Sequence, residues 1–234
     1  MAFFSLLLRL MLIFYTFRHV KRRLNLDIFR EVCFIIMFSI FIYIMEPHLS
    51  NNDKEMFYRH LKNINVYFEY GSGGSTYQAS IRENIITIYS LESDASWQKK
   101  LKQIIINPNV RYIFNEMDTQ ENTWGNPGKN ATNIQKINYS NHMRNLTKEE
   151  QYSIDLVLID GRFRVACCLK CYDIIKDSCL IAFDDFLDRP QYHIVLEYFD
   201  ILEKTRDNRM VILKKKKNVN IPKELIEKYK LIQH

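Results

Sequence analysis

Half of the chain's six glycines fall within four positions: Gly71, Gly73 and Gly74, in the stretch YFEYGSGGST of residues 67–76. Glycines this dense let backbone approach a ligand closely or take up positive φ. A phosphate loop needs Gly-Lys-Ser/Thr after the turn, and none follows. A dinucleotide fingerprint needs G-x-G-x-x-G, and Thr76 stands at the third glycine position. Glu69 comes two residues before Gly71, where a carboxylate faces a pyrophosphate badly but suits an ammonium group. Glu92 follows at the distance, about 20 residues past the turn, from which an acid accepts ribose hydroxyls. Two further apolar runs end in acids: IDLVLIDGR, ending at Asp160-Gly161-Arg162, and LIAFDD, ending at Asp184-Asp185. Carboxylates gathered at one place repel one another unless a ligand or metal uses them.

These acids need a scaffold that brings them to one edge. Strands are expected over 66–69, 85–91, 110–114, 154–160, 179–183 and 210–213. Helices are expected over 51–62, from the glycines through 82, and over 94–105 with Asp94 as cap. Further helices are expected over 162–175, 192–199 and 223–232. Residues 116–150 read as a polar loop holding Trp124, His142 and Arg144, either a substrate cover or a surface insertion. Alternating strands and helices imply parallel strands with crossover helices. The expected fold class is therefore α/β, a doubly wound, mostly parallel Rossmann-like sheet. In such sheets ligands bind beyond the carboxyl ends of the strands, where all four acid signatures fall.

The 234 residues suffice for one sizeable domain. The net charge of +6 sits largely in Arg18–Arg23 and Lys214–Lys217, which read as solvated or membrane-facing runs. No nucleic-acid-binding module accompanies them, so a nucleic-acid surface is not expected. Of the five cysteines, Cys167, Cys168 and Cys171 have no second ligand pair at zinc spacing and read as small apolar residues on a buried helix. Residues 2–17 and 32–45 are apolar, and Lys21, Arg22 and Arg23 lie between them. Residues 1–47 are expected to form an N-terminal hydrophobic helical segment that anchors the chain in a membrane. The domain of residues 48–234 would then be lumenal. The sequons at Asn130, Asn138 and Asn145 agree with that placement. Helices packed on the soluble domain are the alternative.

The ordered set of E-x-G-x-G-G, Glu92, IDLVLIDGR and LIAFDD resembles the class I S-adenosylmethionine-dependent methyltransferases over about residues 64–213. The IDGRFRVACCLK segment is also similar to methyltransferase-like proteins that carry D-G-R-x-R. The resemblance implies S-adenosylmethionine as cofactor, with Glu69, Gly71, Ser72, Gly73, Glu92 and Asp160 around it. A nearer similarity is to the metal-dependent O-methyltransferases of the catechol type. It implies a magnesium ion on Asp160, Asp184 and Asp185 that would lower the pKa of a substrate hydroxyl. The lysine base of those enzymes is replaced by Phe163, flanked by Arg162 and Arg164. Arginine does not serve as a base but can hold a carboxylate or phosphate.

The expected activity is methyl transfer to an oxygen of a small molecule or glycan. Asp160, Arg162 and Arg164 stand on the substrate side, followed by Asp184, Asp185 and Tyr192. Two rivals stay open: a non-catalytic scaffold that keeps the fold, and an NAD- or nucleotide-sugar-binding enzyme.

Overall fold

A computed structural model of the chain describes residues 45–121 and 123–233. Among the described residues the first helix is α1 (Asn51–Leu61), which Ser50 opens by a reciprocal cap. Its hydroxyl accepts the Asp53 amide, and the Asp53 carboxylate accepts the Ser50 amide. Met56, Phe57 and Leu61 turn inward and are buried.

Seven strands form one sheet: β1 (Val66–Tyr70), β2 (Thr87–Glu92), β3 (Val110–Phe114), β4 (Leu156–Ile159), β5 (Leu180–Phe183), β6 (Phe199–Lys204) and β7 (Val211–Lys215). Their order is β3-β2-β1-β4-β5-β7-β6. β7 runs antiparallel to both neighbours, and the other pairings are parallel. The chain builds outward from β1 to β3, then returns to the centre at β4. The switch point therefore lies between β1 and β4, the strands that end in Glu69-Tyr-Gly and Asp160-Gly.

The pleat sorts side chains onto two cores. Tyr67, Leu156 and Leu158 pack with Phe57 and Leu61 of α1. Phe68, Tyr70, Val157 and Ile159 face the opposite way, against the helix α6 (Arg164–Cys171). Each apolar side chain so buried contributes about 1.5–3 kcal/mol. All eight residues of α6 are buried, including Cys167, Cys168 and Cys171, and burial pushes these thiols well up. Among the described residues the remaining α-helices are α2 (Gly74–Ser80), α3 (Ala95–Ile104), α4 (Asn133–Asn141), α5 (Lys148–Ser153) and α7 (Lys223–Tyr229).

Two expectations are corrected. Residues 116–150 are not one loop. Thr132 with Gln135, and Thr147 with Glu150, build capping boxes that start α4 and α5. Residues 192–199, expected to be helical throughout, are a 3-10 helix only as far as Glu197, and β6 begins at Phe199. β6 is an exposed edge strand and so lacks the apolar run that marks an interior one. The Lys214–Lys217 run is partly structural. Lys215 Nζ donates to the Ile175 carbonyl at 2.7 Å, and Lys216 Nζ to the Leu196 carbonyl at 2.7 Å.

The expected anchor falls on residues that lie outside the described ones, apart from its last few. Among the described residues no helix is long and apolar enough to cross a membrane.

Candidate functional site

The turn after β1 is built by its glycines. Gly71 has φ +96°, and a Cβ there would stand 2.9 Å from Gly161 Cα. The loops after β1 and β4 therefore touch backbone to backbone. Gly73 is the opposite case: a Cβ added there meets nothing within 4 Å. Its side faces open space, which is the cradle a ligand needs. Gly74 lies against the backbone of Glu46 and Pro47, which a Cβ added there would meet, so the segment entering the domain crosses the start of α2.

Glu69 is fully buried beneath this turn. Its Oε2 accepts from Tyr67 Oη at 3.0 Å and Ser75 Oγ at 2.6 Å. Its Oε1 accepts from Ser90 Oγ at 2.7 Å and from Thr76 Oγ1. A carboxylate has about four acceptor directions, and the protein fills them all. Glu69 is thus placed differently from the expectation of an ammonium contact. It braces the glycine turn from below, and Ser72 Oγ reaches it through Ser90 Oγ at 2.7 Å. Burial raises its pKa to about 7 despite the four hydroxyls.

Glu92, at the end of β2, is 7% exposed and is gripped by backbone. Oε1 accepts the Ser93 and Asp94 amides at 2.7 and 2.8 Å, and Oε2 accepts the Ser72 amide at 3.3 Å. Oε1 is saturated, while Oε2 keeps one direction free. Glu92 therefore has room for one ribose hydroxyl, where the sequence implied two. Burial pushes its pKa up against the three amides. Asp94 caps α3 through the Trp97 amide, and Trp97 Nε1 donates to the Ser72 carbonyl at 2.9 Å. The glycine turn and β2 are thereby held as one body.

The β4–β5 end is different. Arg164 is 6% exposed, and its guanidinium lies among the three aspartates. Nη2 binds Asp160 Oδ1 at 2.9 Å, and Nη1 donates to the Asp184 carbonyl at 2.7 Å. Nη1 also stands 3.6 Å from both Asp184 Oδ2 and Asp185 Oδ2, and Nε donates to the Gly161 carbonyl at 3.1 Å. Asp185 is taken further by Arg189 Nη2 at 2.7 Å and by Arg209 Nη2.

This corrects the magnesium expectation. Asp160, Asp184 and Asp185 do converge, but on a guanidinium that already supplies the positive charge. A divalent cation would meet Arg164 at the centre of its own ligand set, so the donors do not fit one. Among the described residues no group of three or more His, Cys, Asp and Glu side chains is arranged to hold a metal ion. Arg164 is likewise placed differently from a substrate contact, because its nitrogens are committed inside the protein.

Burial and the charges of Asp160 and Asp185 raise Asp184 to about 9. Its Oδ1 finds no donor in the protein. Asp184 thus holds its proton more readily than an ordinary carboxyl. Asp160 is the open member of the set, its side chain 28% exposed. Burial pushes its pKa up against the pull of Arg164.

Arg162 remains half-buried, its Nε donating to the Trp124 carbonyl at 3.1 Å. Phe163, at the expected lysine position, is fully buried against Tyr139. Three non-glycine residues around this edge have positive φ: Trp124 (58°), Phe163 (54°) and Asp185 (55°). Such conformations persist only where surroundings hold them, and they cluster at functional sites. Tyr192 is buried against the Phe183 ring and belongs to the core.

The residues missed by sequence reasoning are Tyr67, Ser75, Ser90, Trp97 and Gly125, next to Trp124. Gly125 comes close to Ser93 Oγ and Glu92 Oε1, 3.2 and 3.6 Å from a Cβ added there. The Trp124 indole packs on the His48 ring at 5.0 Å. Of Trp124, His142 and Arg144, only Trp124 reaches the site. His142 instead bonds Asn115 Oδ1 at 2.9 Å, and Arg144 lies 3.9 Å from Asp173.

No protein-family model matches the chain, and a search of curated proteins finds no match. Solved structures do match. A methyltransferase-like protein from Silicibacter pomeroyi is 24% identical, with 81% of this chain and 98% of that one covered and a TM-score of 0.69. A precorrin-6y C5,15-methyltransferase from Geobacter metallireducens is 15% identical, with 75% and 94% covered and a TM-score of 0.41, too distant to bear on the site. The chain has the fold of the class I S-adenosylmethionine-dependent methyltransferases.

Proposed function

We propose that the chain transfers a methyl group from S-adenosylmethionine to an oxygen of a small molecule or glycan. The observation that carries this reading is the open side of Gly73 standing beside Glu92, whose Oε2 has one acceptor direction left. In this reading the backbone of Gly71 to Gly73 lies along the amino-acid part, and Glu92 takes one ribose hydroxyl. Ser72, through Ser90, couples that contact to the buried Glu69. S-adenosylmethionine, when bound, supplies a methyl carbon on a sulfonium, which leaves as a neutral thioether as the acceptor oxygen forms its bond to carbon.

The acceptor hydroxyl must lose a proton, and no metal activates it in this reading. In this reading Asp160 takes that proton. It is partly exposed and lies on the loop that touches the glycine turn. Arg164 fixes its Oδ1 at 2.9 Å, which orients the remaining oxygen. A raised pKa improves a carboxylate as a base near neutral pH. Positioning supplies most of the remaining acceleration in an in-line displacement.

Calorimetric titration with S-adenosylmethionine tests the reading. Binding by the wild type is expected, with Glu92→Ala weakening it by about tenfold or more, the loss of one hydrogen bond to a charged group. A wild type that binds none ends the reading. Binding of NAD or a nucleotide sugar instead transfers the site to the rival named from the sequence.

A further inference from the structure

The β4–β5 edge carries more positive charge than its acids can balance. Arg164, Arg189 and Arg209 surround Asp160, Asp184 and Asp185. Asp184 is 2% exposed, and burial beside Asp160 and Asp185 pushes its pKa up, which weakens its pull on the cations around it. Three guanidinium groups already meet these three acids, and Arg162 is a fourth cation at the same edge.

Arg162 stands apart from the other three. Only its Nε is engaged, on a backbone carbonyl, and among the described residues no carboxylate forms an ion pair with it. Burial and the Arg164 charge both push its pKa down, so the site holds this cation at a cost. A half-buried guanidinium without a counter-ion is stabilised by any anion that docks on its outer edge, where two parallel N–H bonds fit a carboxylate or a phosphate. Its place favours the acceptor over the cofactor: Arg162 follows Asp160 on the β4 loop, whereas the Gly73 cradle and Glu92 lie beyond β1 and β2. The carbonyl it grips belongs to Trp124, which is 73% exposed and whose backbone is left-handed.

We infer that Arg162 receives an anionic group, a carboxylate or a phosphate, carried by the methyl acceptor. The inference rests on the methyl-transfer reading for the word acceptor, and on the geometry alone for the anion.

The test uses the full chain, first saturated with S-adenosylhomocysteine so that the cofactor's own carboxylate is in place. Phenyl phosphate and benzoate are then titrated by calorimetry, with benzyl alcohol as the neutral control. At least one anion is expected to bind and the alcohol not, and which anion binds tells phosphate from carboxylate. Arg162→Gln should lower that affinity about tenfold or more, and Arg162→Lys should fall between, because it keeps the charge but loses the fork. The affinity of either variant for S-adenosylhomocysteine should stay within about twofold of the wild type, which also shows that the variant is folded. The inference is overturned if neither anion binds, or if Arg162→Gln binds as well as the wild type. It is equally overturned if that variant loses S-adenosylhomocysteine instead, since the guanidinium then serves the cofactor. A wild type that takes up no S-adenosylhomocysteine removes the methyl-transfer reading. The same anion titration of the unloaded chain then decides the Arg162 site by itself.

Discussion

The two ends of the sheet's carboxyl edge both gather acids, and they satisfy them by different chemistry. Beyond β1 and β2, Glu69 and Glu92 are held by neutral donors: four hydroxyls on one, three backbone amides on the other. Beyond β4 and β5, the aspartates are held by arginines. Neutral donors orient a carboxylate and leave its charge in place. Guanidinium groups orient it and cancel its charge. The first half can therefore receive a cationic, hydroxyl-bearing ligand such as a sulfonium nucleoside. The second half has no negative charge to spare for a metal and is suited to an anion. Acids at strand ends do not by themselves announce a metal; what surrounds them decides.

The contrast can be broken most severely at Arg164. Arg164→Met leaves Asp160 and Asp184 without their cation, while Asp185 keeps Arg189 and Arg209, and a loss of about 3–5 kcal/mol is expected in denaturant unfolding. A variant within about 1 kcal/mol of the wild type would show that the arginine cluster does not hold this half together.

Glu69 sharpens the other half through pH. Its folded pKa of about 7 stands above the ordinary 4.5, so the unfolded chain releases this proton first. The stability it contributes is present below pH 4.5 and is lost as pH rises to about 7. Each pH unit in that window carries about 1.4 kcal/mol at most. Glu69→Gln should flatten this fall in a pH series of urea unfolding. An unchanged slope between pH 4.5 and 7 in the variant would refute the buried-carboxylate account.

The smallest effects come from the glycine turn. Gly71→Ala places a Cβ at positive φ against Gly161, for a loss of about 1–3 kcal/mol. Gly73→Ala meets open space and should change stability by no more than about 0.5 kcal/mol, while lowering S-adenosylmethionine affinity. Equal losses of stability at both positions would mean that the Gly73 side is not a ligand cradle.

Much of this was legible in the sequence. The interior strands betrayed themselves by LVLI and LIAF, because burial on both faces demands continuous apolar residues. The glycine turn and the four acid-tipped ends were legible for a related reason: a doubly wound sheet admits few places for such residues. What stayed hidden was pairing across the fold. Nothing local in RFR says that Arg164 turns inward to three aspartates while Arg162 stays outside. That depends on Phe163 adopting φ +54° and burying its ring, a choice made by tertiary packing. Glu69 was misjudged for the same reason, since its four hydroxyl partners come from β1, β2 and α2. The helices between 133 and 153 are a different case. Their Thr-x-x-Gln and Thr-x-x-Glu boxes were present in the sequence, and polar composition hid them.

The first helix carries a consequence for how the chain is made. Asp53 Oδ1 accepts the Met210 amide at 3.2 Å, and Ser50 Oγ donates to Asp207 at 2.6 Å, each across 157 residues of sequence. On the ribosome α1 emerges well before its anchors in the β6–β7 hairpin exist. The entropy of closing so long a loop grows only slowly with length, so the tie holds once made. The timing is another matter, because contacts this distant in sequence form late. Until residue 210 has been synthesised, Asp53 lacks its second partner and the Phe57–Leu61 face lacks Met210 and Ile212. A nascent chain stalled before the hairpin should therefore show that apolar face to chaperones, and should lose it once β7 has left the ribosome.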